Sequence, residues 1–193
     1  MATTQKNKVL FGFSDFYIGT YDEDAEGNVE MGEPYHQPGA VGFAPNDDAT
    51  KSDFYADNIA YFTTYASGVR EGDLVFAMFD DAFKEKFLGY LKLDDGGLAQ
   101  IKNARKPNVY VAFEIQGDTE PVRIIMYNGS LGSINREYAT LEDTQTPVTE
   151  SLPSTFVGAK KTKITVVSYN PGDAGYETLF TNPPIPVLPE VSE

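Results

Sequence analysis

The spacing most suggestive of chemistry in this 193-residue chain is DEDAEGNVEMGE, residues 22–33. Acids at positions 1, 3, 5, 9 and 12 of that stretch, with Gly27 at position 6 and Val29 at position 8, follow the ligand spacing of a calcium-binding EF-hand loop. The flanks argue against it. FYIGTY and PYHQPG cannot supply the two helices such a loop needs, Pro34 follows position 12 directly, and Glu26 replaces the short ligand usual at position 5. An acidic, mobile loop without a metal is the expectation.

Catalytic groups are sparse. His36, in PYHQPG, is the only histidine, there is no cysteine, and no G-x-S-x-G elbow accompanies the serines. A lone loop histidine is more often a surface residue than a base. GFSDFYIG and LGSIN lack the glycine spacing that cradles phosphates. Carboxylates are so numerous that no acid/base pair stands out. The reading is therefore of a protein that is not an enzyme and needs no cofactor. NGS at Asn128 fits an N-glycosylation acceptor, but no secretory signal accompanies it.

What stands out instead is FYADNIAYFTTY, residues 54–65, dense in Phe and Tyr with one formal charge and no Gly or Pro. Read as one strand, it carries Phe54, Ala56, Asn58, Ala60, Phe62 and Thr64 on one face and Tyr55, Asp57, Ile59, Tyr61, Thr63 and Tyr65 on the other. Neither face is purely core or purely water. Tyr combines large contact area with a polar tip, which suits a strand buried partly against another chain. An ordinary half-buried strand within one subunit is the alternative.

The elements that must position these residues are mostly strands. VYVAFEI puts Val109, Val111, Phe113 and Ile115 on one face; GDTEP has turn chemistry; VRIIMY returns with Val122, Ile124 and Met126, so the three make a hairpin. DLVFAMF and KITVVSY alternate likewise, and VLFGF and FYIGTY read as two shorter strands. One segment has helical spacing: in DDAFKEKFLG, Asp80 or Asp81 caps, Phe83, Phe87 and Leu88 form a stripe, Asp80 and Lys84 can pair, and Gly89 stops the helix. DDGG, residues 94–97, is a turn. From Asn170 the alternation ends and prolines accumulate, so residues 170–193 are expected to form an extended tail beside a single β domain, 1–169.

Charge narrows the partners. With 15 Lys and Arg against 29 Asp and Glu the net charge is −14, which disfavours nucleic acid and anionic membranes over most of the surface. Nine acids and no base lie between Val9 and Thr50. Two small basic clusters stand apart, Lys102, Arg105 and Lys106, and Lys160, Lys161 and Lys163. They are solvated faces, or in a self-associating protein they meet a neighbour's acidic region. The start, MATTQKNKVLFGF, has no signal-peptide core, and no later apolar run approaches the ~20 residues of a membrane span.

In combination, PGAVGFAP, FYADN, EGDLVFAMFDDAFKEKFLGY, VAFEIQGD, RIIMYNG and TPVTESL resemble, in order and rough spacing, the major tail protein of long-tailed phages of the phi-thirteen type. The resemblance spans about residues 8–169, and FYADN with the strand-to-helix step ending in LGY is its most specific part. The acidic insertion at 22–33, the LGSINREY segment and the proline-rich end depart from the family pattern.

The resemblance implies a tail-tube-type β-sandwich or partial barrel with one flanking helix at about 80–88. It also implies hexameric rings that stack into a tube around a tape-measure protein, between a tail terminator and a distal tail protein, with DNA later passing through the lumen. The protein would reside in the virion tail after assembly in the host cytoplasm, with no membrane partner. Head-to-tail contacts that close give a ring, and joining sheets edge to edge around it removes exposed edges. On that view Tyr55, Tyr61 and Tyr65 supply contact area and Asp57 and Asn58 set register at a subunit interface. A carbohydrate-binding or adhesion module is the alternative function, weakened by the absence of Trp.

Overall fold

The computed structural model describes residues 7–47, 49–56, 59–66, 68–138 and 147–189. In chain order the elements begin with β1 (Leu10–Glu23), β2 (Val29–Met31), β3 (Tyr35–His36), β4 (Ala40–Phe43), β5 (Asn46–Asp47), β6 (Thr50–Ala56), β7 (Ile59–Ala66) and β8 (Arg70–Phe76). Then come α1 (Asp81–Leu88), β9 (Leu91–Lys92), β10 (Leu98–Ala99), β11 (Val109–Gly117) and β12 (Val122–Leu131). The last are β13 (Asn135–Arg136), β14 (Glu150–Phe156) and β15 (Val166–Tyr169). Among the described residues, no helix is long and apolar enough to cross a membrane.

One antiparallel sheet runs β2-β1-β11-β12-β14-β8-β4, with β3, β5, β13 and β15 attached at its margins. The path curls over itself: Phe16 and Ile18 of β1 and Val109, Val111 and Phe113 of β11 share one core with Leu74 and Phe76 of β8 and Leu152 and Phe156 of β14. Alternation explains the inward set on β11, as the sequence indicates. The intervening residues Tyr110 and Ala112 are just as buried, in a second core on the opposite face with Tyr21, Ile125, Tyr127 and Leu179. The β11–β12 hairpin is therefore covered on both sides.

The helix covers one end of the first core. Asp80 caps it by accepting a bond from the Phe83 amide at 2.7 Å, and Gly89 ends it at φ 68, a left-handed conformation that favours glycine. Phe83, Phe87 and Leu88 are buried, as their spacing predicts. The expected Asp80–Lys84 pair is replaced. Lys84 lies 3.6 Å from Asp81, because the Asp80 carboxylate also receives the Tyr35 hydroxyl at 2.7 Å and so ties the helix to β3. Burial first, and then this bond to Asp80, push the Tyr35 hydroxyl up to about 12.

VLFGF and FYIGTY, expected as two strands, are parts of the single strand β1. Register shifts between Leu10 and Phe13 and between Ser14 and Tyr17, the second at Asp15 with φ 48, mark bulges against β11. A bulge advances the alternation by one residue. Phe13 and Phe16, which strict alternation would place on opposite faces, both pack on the first core. A third bulge, at Asn128 with φ 53, lies where β12 passes from pairing β15 to pairing β14.

The segment after Asn170 differs from the extended tail expected. Residues 171–181 coil through successive turns, and only 183–189 run without them. Leu179 is buried in the second core, Tyr176 is also buried, and Phe180 stacks on Tyr17 at 4.5 Å. Arg123 fastens the segment: its Nε bonds Glu114 at 3.0 Å, its Nη1 bonds the Tyr176 carbonyl at 2.6 Å, and its guanidinium lies over the Tyr176 and Phe180 rings at 4.1 and 4.4 Å. Pro184 adds a carbonyl bonded by the Tyr127 hydroxyl at 2.8 Å.

Two substitutions test this packing. A Cβ on Gly19 would lie 2.4 Å from the buried Tyr110 ring, so Gly19→Ala is expected to destabilise by about 1–3 kcal/mol, read as a lower urea midpoint. Arg123→Ala should leave the sheet folded but raise protease sensitivity in residues 170–189, since it removes the clasp and strands the Glu114 carboxylate.

Candidate assembly interface

FYADNIAYFTTY is not one strand. The chain reverses between Ala56 and Ile59, which pair across an antiparallel ribbon of β6 and β7, a two-stranded sheet separate from the main one. The reversal changes which residues share a face. Phe54 sits directly opposite Phe62, and Tyr55 opposite Ala60, leaving Tyr61 as the extra residue of a bulge. Aromatic side chains therefore project from both faces, and Phe54, Tyr55, Ile59, Tyr61 and Phe62 are all more than 60% exposed.

Exposure on this scale is costly. Covering one such side chain contributes about 1.5–3 kcal/mol, and a two-stranded ribbon alone is marginally stable in water. Polar contacts hold its base: Asp53 accepts the Thr63 hydroxyl across the ladder at 2.7 Å and the Lys51 ammonium at 2.8 Å, bonds that hold its carboxyl below the usual carboxylate range. Among the described residues, no comparable polar bonds involve the side chains of Phe54, Tyr55, Ile59, Tyr61 and Phe62, and this exposed apolar area is of the kind that marks a contact surface.

Of the five residues singled out from sequence, Tyr55 and Tyr61 are placed on this exposed ribbon. Tyr65 lies on β7 opposite Lys51. Asp57 and Asn58 fall outside the described residues. Sequence reading missed Phe54, Phe62 and Ile59 as candidate contacts, although the Asp-Asn dipeptide between two aromatic runs is a turn signal that points to a hairpin.

The acidic insertion is also a hairpin. Tyr21, Asp22 and Glu23 of β1 pair with Met31, Glu30 and Val29 of β2, and Asp24 closes the turn by accepting bonds from the Asn28 backbone and side chain at 2.8 and 2.7 Å. The expected mobile loop is thus an ordered ribbon whose alternation divides the acids between two faces. Among the described residues no cluster suited to a metal ion occurs.

Both basic clusters lie beside this hairpin in their own chain. Asp22 and Glu30 share an open cleft of about 640 Å³ with Arg105 and Lys106. On the other face the Lys160 ammonium bonds the Glu23 carbonyl at 2.9 Å. Lys106 also donates to the carbonyls of Leu131 and Gly132, and burial lowers its pKa. His36 lies on β3 with its ring 4.9 Å from Tyr17. Asn128 is buried and donates to the Gly158 carbonyl at 2.9 Å, an arrangement incompatible with carrying a glycan.

The chain thus combines a curled antiparallel sheet, one capping helix and a projecting aromatic ribbon. The family model described as phage tail tube protein matches residues 2–122, and the chain belongs to that family. No curated protein matches the sequence. Among solved structures, the cap of the anti-feeding prophage tube is similar at 11% identity and TM-score 0.48, over 88% of this chain and 99% of that one. The sheath–tube complex of an extracellular contractile injection system, PVC, in its extended state is similar at 9% identity and TM-score 0.48, over 81% and 88%. The family assignment rests on the family model alone.

Replacing Tyr55 and Tyr61 by Ala together should leave a folded chain whose self-association is weaker by about 1–4 kcal/mol per residue. Sedimentation across a concentration series, with circular dichroism as the folding control, measures it; unchanged association removes the ribbon from the interface.

Proposed function

We propose that this phage tail structural protein closes head to tail into hexameric rings and that the rings stack into the tube through which DNA leaves the virion. The observation that carries the reading is the β6–β7 ribbon, which presents aromatic side chains on both faces to a partner the single chain does not supply. An exposed aromatic surface on a chain of this family is met most economically by a different surface of the next copy, the head-to-tail contact that can close into a ring. Tyr55, Tyr61 and Tyr65, with Asp57 and Asn58, belong to that contact, joined by Phe54, Phe62 and Ile59. A tape-measure protein inside the tube, and terminator and distal proteins at its ends, complete the set of partners, assembled in the host cytoplasm. Catalysis plays no part.

Charge fits a conduit. A basic lumen would bind phosphates and release counterions, and so retain the DNA. Acids facing inward instead repel the duplex over about 8–10 Å at moderate salt, and six copies multiply the field. The chain's net charge of −14 and the engagement of Lys106 and Lys160 within the fold both leave a surface poor in free bases.

Electron microscopy of the purified protein tests the reading. Rings or hollow tubes of six-fold symmetry are expected, with a lumen that is net negative in a reconstruction. A protein that remains a dispersed monomer at every concentration, or a channel lined by Lys102–Lys106 or Lys160–Lys163 with acids only outside, overturns it.

A further inference from the structure

Besides the packing of Val29 and Met31 on the second core and the Tyr110 hydroxyl's bond to the Gly32 carbonyl at 2.8 Å, the acidic hairpin is attached to the body through one buried carboxylate. Glu23, the last residue of β1, is 6% exposed although it lies between the exposed acids Asp22 and Asp24. Its Oε2 accepts the Lys160 amide at 2.8 Å and the Tyr21 hydroxyl at 3.0 Å, and its Oε1 accepts the Lys161 amide at 3.0 Å. The Lys161 stem in turn supports the hairpin tip, where a Cβ on Gly27 would come within 2.6 Å of it.

We propose that the Glu23 carboxylate is an acid-sensitive latch that fastens the acidic hairpin to the turn at residues 158–163. The latch is built into this chain and does not depend on the tube reading. Ionised, the group accepts every donor aimed at it. Protonated, it keeps a carbonyl acceptor but turns one oxygen into an O–H donor, so the part-buried Lys160 and Lys161 amides and the Tyr21 hydroxyl compete for fewer, weaker acceptor sites.

Several groups face it. From the turn come Lys160 and Lys161, and Tyr21 lies beside it on its own strand, backed by Tyr127 of β12 with ring centroids 6.3 Å apart. Val29 is its partner on β2. The C-terminal segment contributes the apolar Ile185, Pro186, Val187 and Leu188 around an adjoining cavity of about 300 Å³. The neighbouring acids Asp22 and Glu30 line the separate cleft that holds Arg105 and Lys106.

The sign of the pH response follows from these contacts. Burial pushes the Glu23 pKa up, but the bonds from the Lys160 and Lys161 amides and from Tyr21, with the nearby Lys160 charge, outweigh it and hold the carboxyl below its usual range. A lowered folded-state pKa gives a contribution that is complete above the ordinary carboxylate value and lost as pH falls through the lowered one. The hairpin is fastened at neutrality and released in acid, which separates Asp24 and Glu26 at the tip from the lysine turn.

Hydrogen–deuterium exchange of the full chain, expressed as protection factors so that the intrinsic pH dependence cancels, tests the latch. At neutral pH Glu23→Gln should lower protection of the hairpin turn and of the Lys160 and Lys161 amides together, by about tenfold, with native circular dichroism. Wild type should show the same loss on acidification, and the variant should show no acid step at the Lys160 and Lys161 amides, while the hairpin turn keeps the separate acid response of Asp24, which accepts from Asn28. Equal protection of those two amides in the two proteins at neutral pH, or an acid step retained at them in the variant, overturns the proposal. Tyr21→Phe is the gentler second variant and decides the matter if Glu23→Gln does not fold. It removes one donor to the charged form, so the acid step should move to higher pH; an unmoved or lower midpoint overturns the proposal.

Discussion

Everything else in this structure is arranged around the β11–β12 hairpin, because its strands are apolar on both faces. Val111 and Tyr110 are adjacent and both fully buried, so the sheet they form needs a covering layer on each side. The first layer is the far half of the same curled sheet together with α1. The second is not a regular element at all. Turns in residues 171–181, held by Arg123, bring Tyr176, Leu179 and Phe180 onto the other face. A segment whose composition reads as a loose end is thereby a working part of the core.

Bulges do comparable work at four points. Those of β1, one of them at Asp15, turn a strand that begins with exposed Leu10 and Phe11 into one that buries Phe16 and Ile18. The bulge at Asn128 lets β12 serve two partner strands in succession. At Tyr61 the extra residue breaks the alternation of an isolated ribbon. In each case one residue changes the face on which the following ones appear, which lets the main sheet enclose a core and the separate β6–β7 ribbon present aromatic residues on both faces.

The electrostatic arrangement is local. The two basic clusters, distant in sequence from the acids of residues 22–33, lie next to them in the folded chain, one bonded at Glu23 and one across a cleft from Asp22 and Glu30. In the proposed tube, contacts between copies fall mainly to apolar and aromatic area on the β6–β7 ribbon, which is less sensitive to salt than charge pairing is.

Local patterns in the sequence determined much of this. Alternation at Val109–Ile115 and Val122–Met126 specified a hairpin, the spacing of Phe83, Phe87 and Leu88 between Asp80 and Gly89 specified a helix with its ends, and the combination of segments pointed to the tail tube family. These succeed because periodicity and capping depend on near neighbours. Tertiary structure alone decided the rest. Bulges and turns erase the period they interrupt, so β1 read as two strands and β6–β7 as one. The attachment of Glu23 to Lys160 and of Arg123 to Tyr176 joins residues 137 and 53 positions apart, and no short-range pattern encodes which buried charge will find which distant partner.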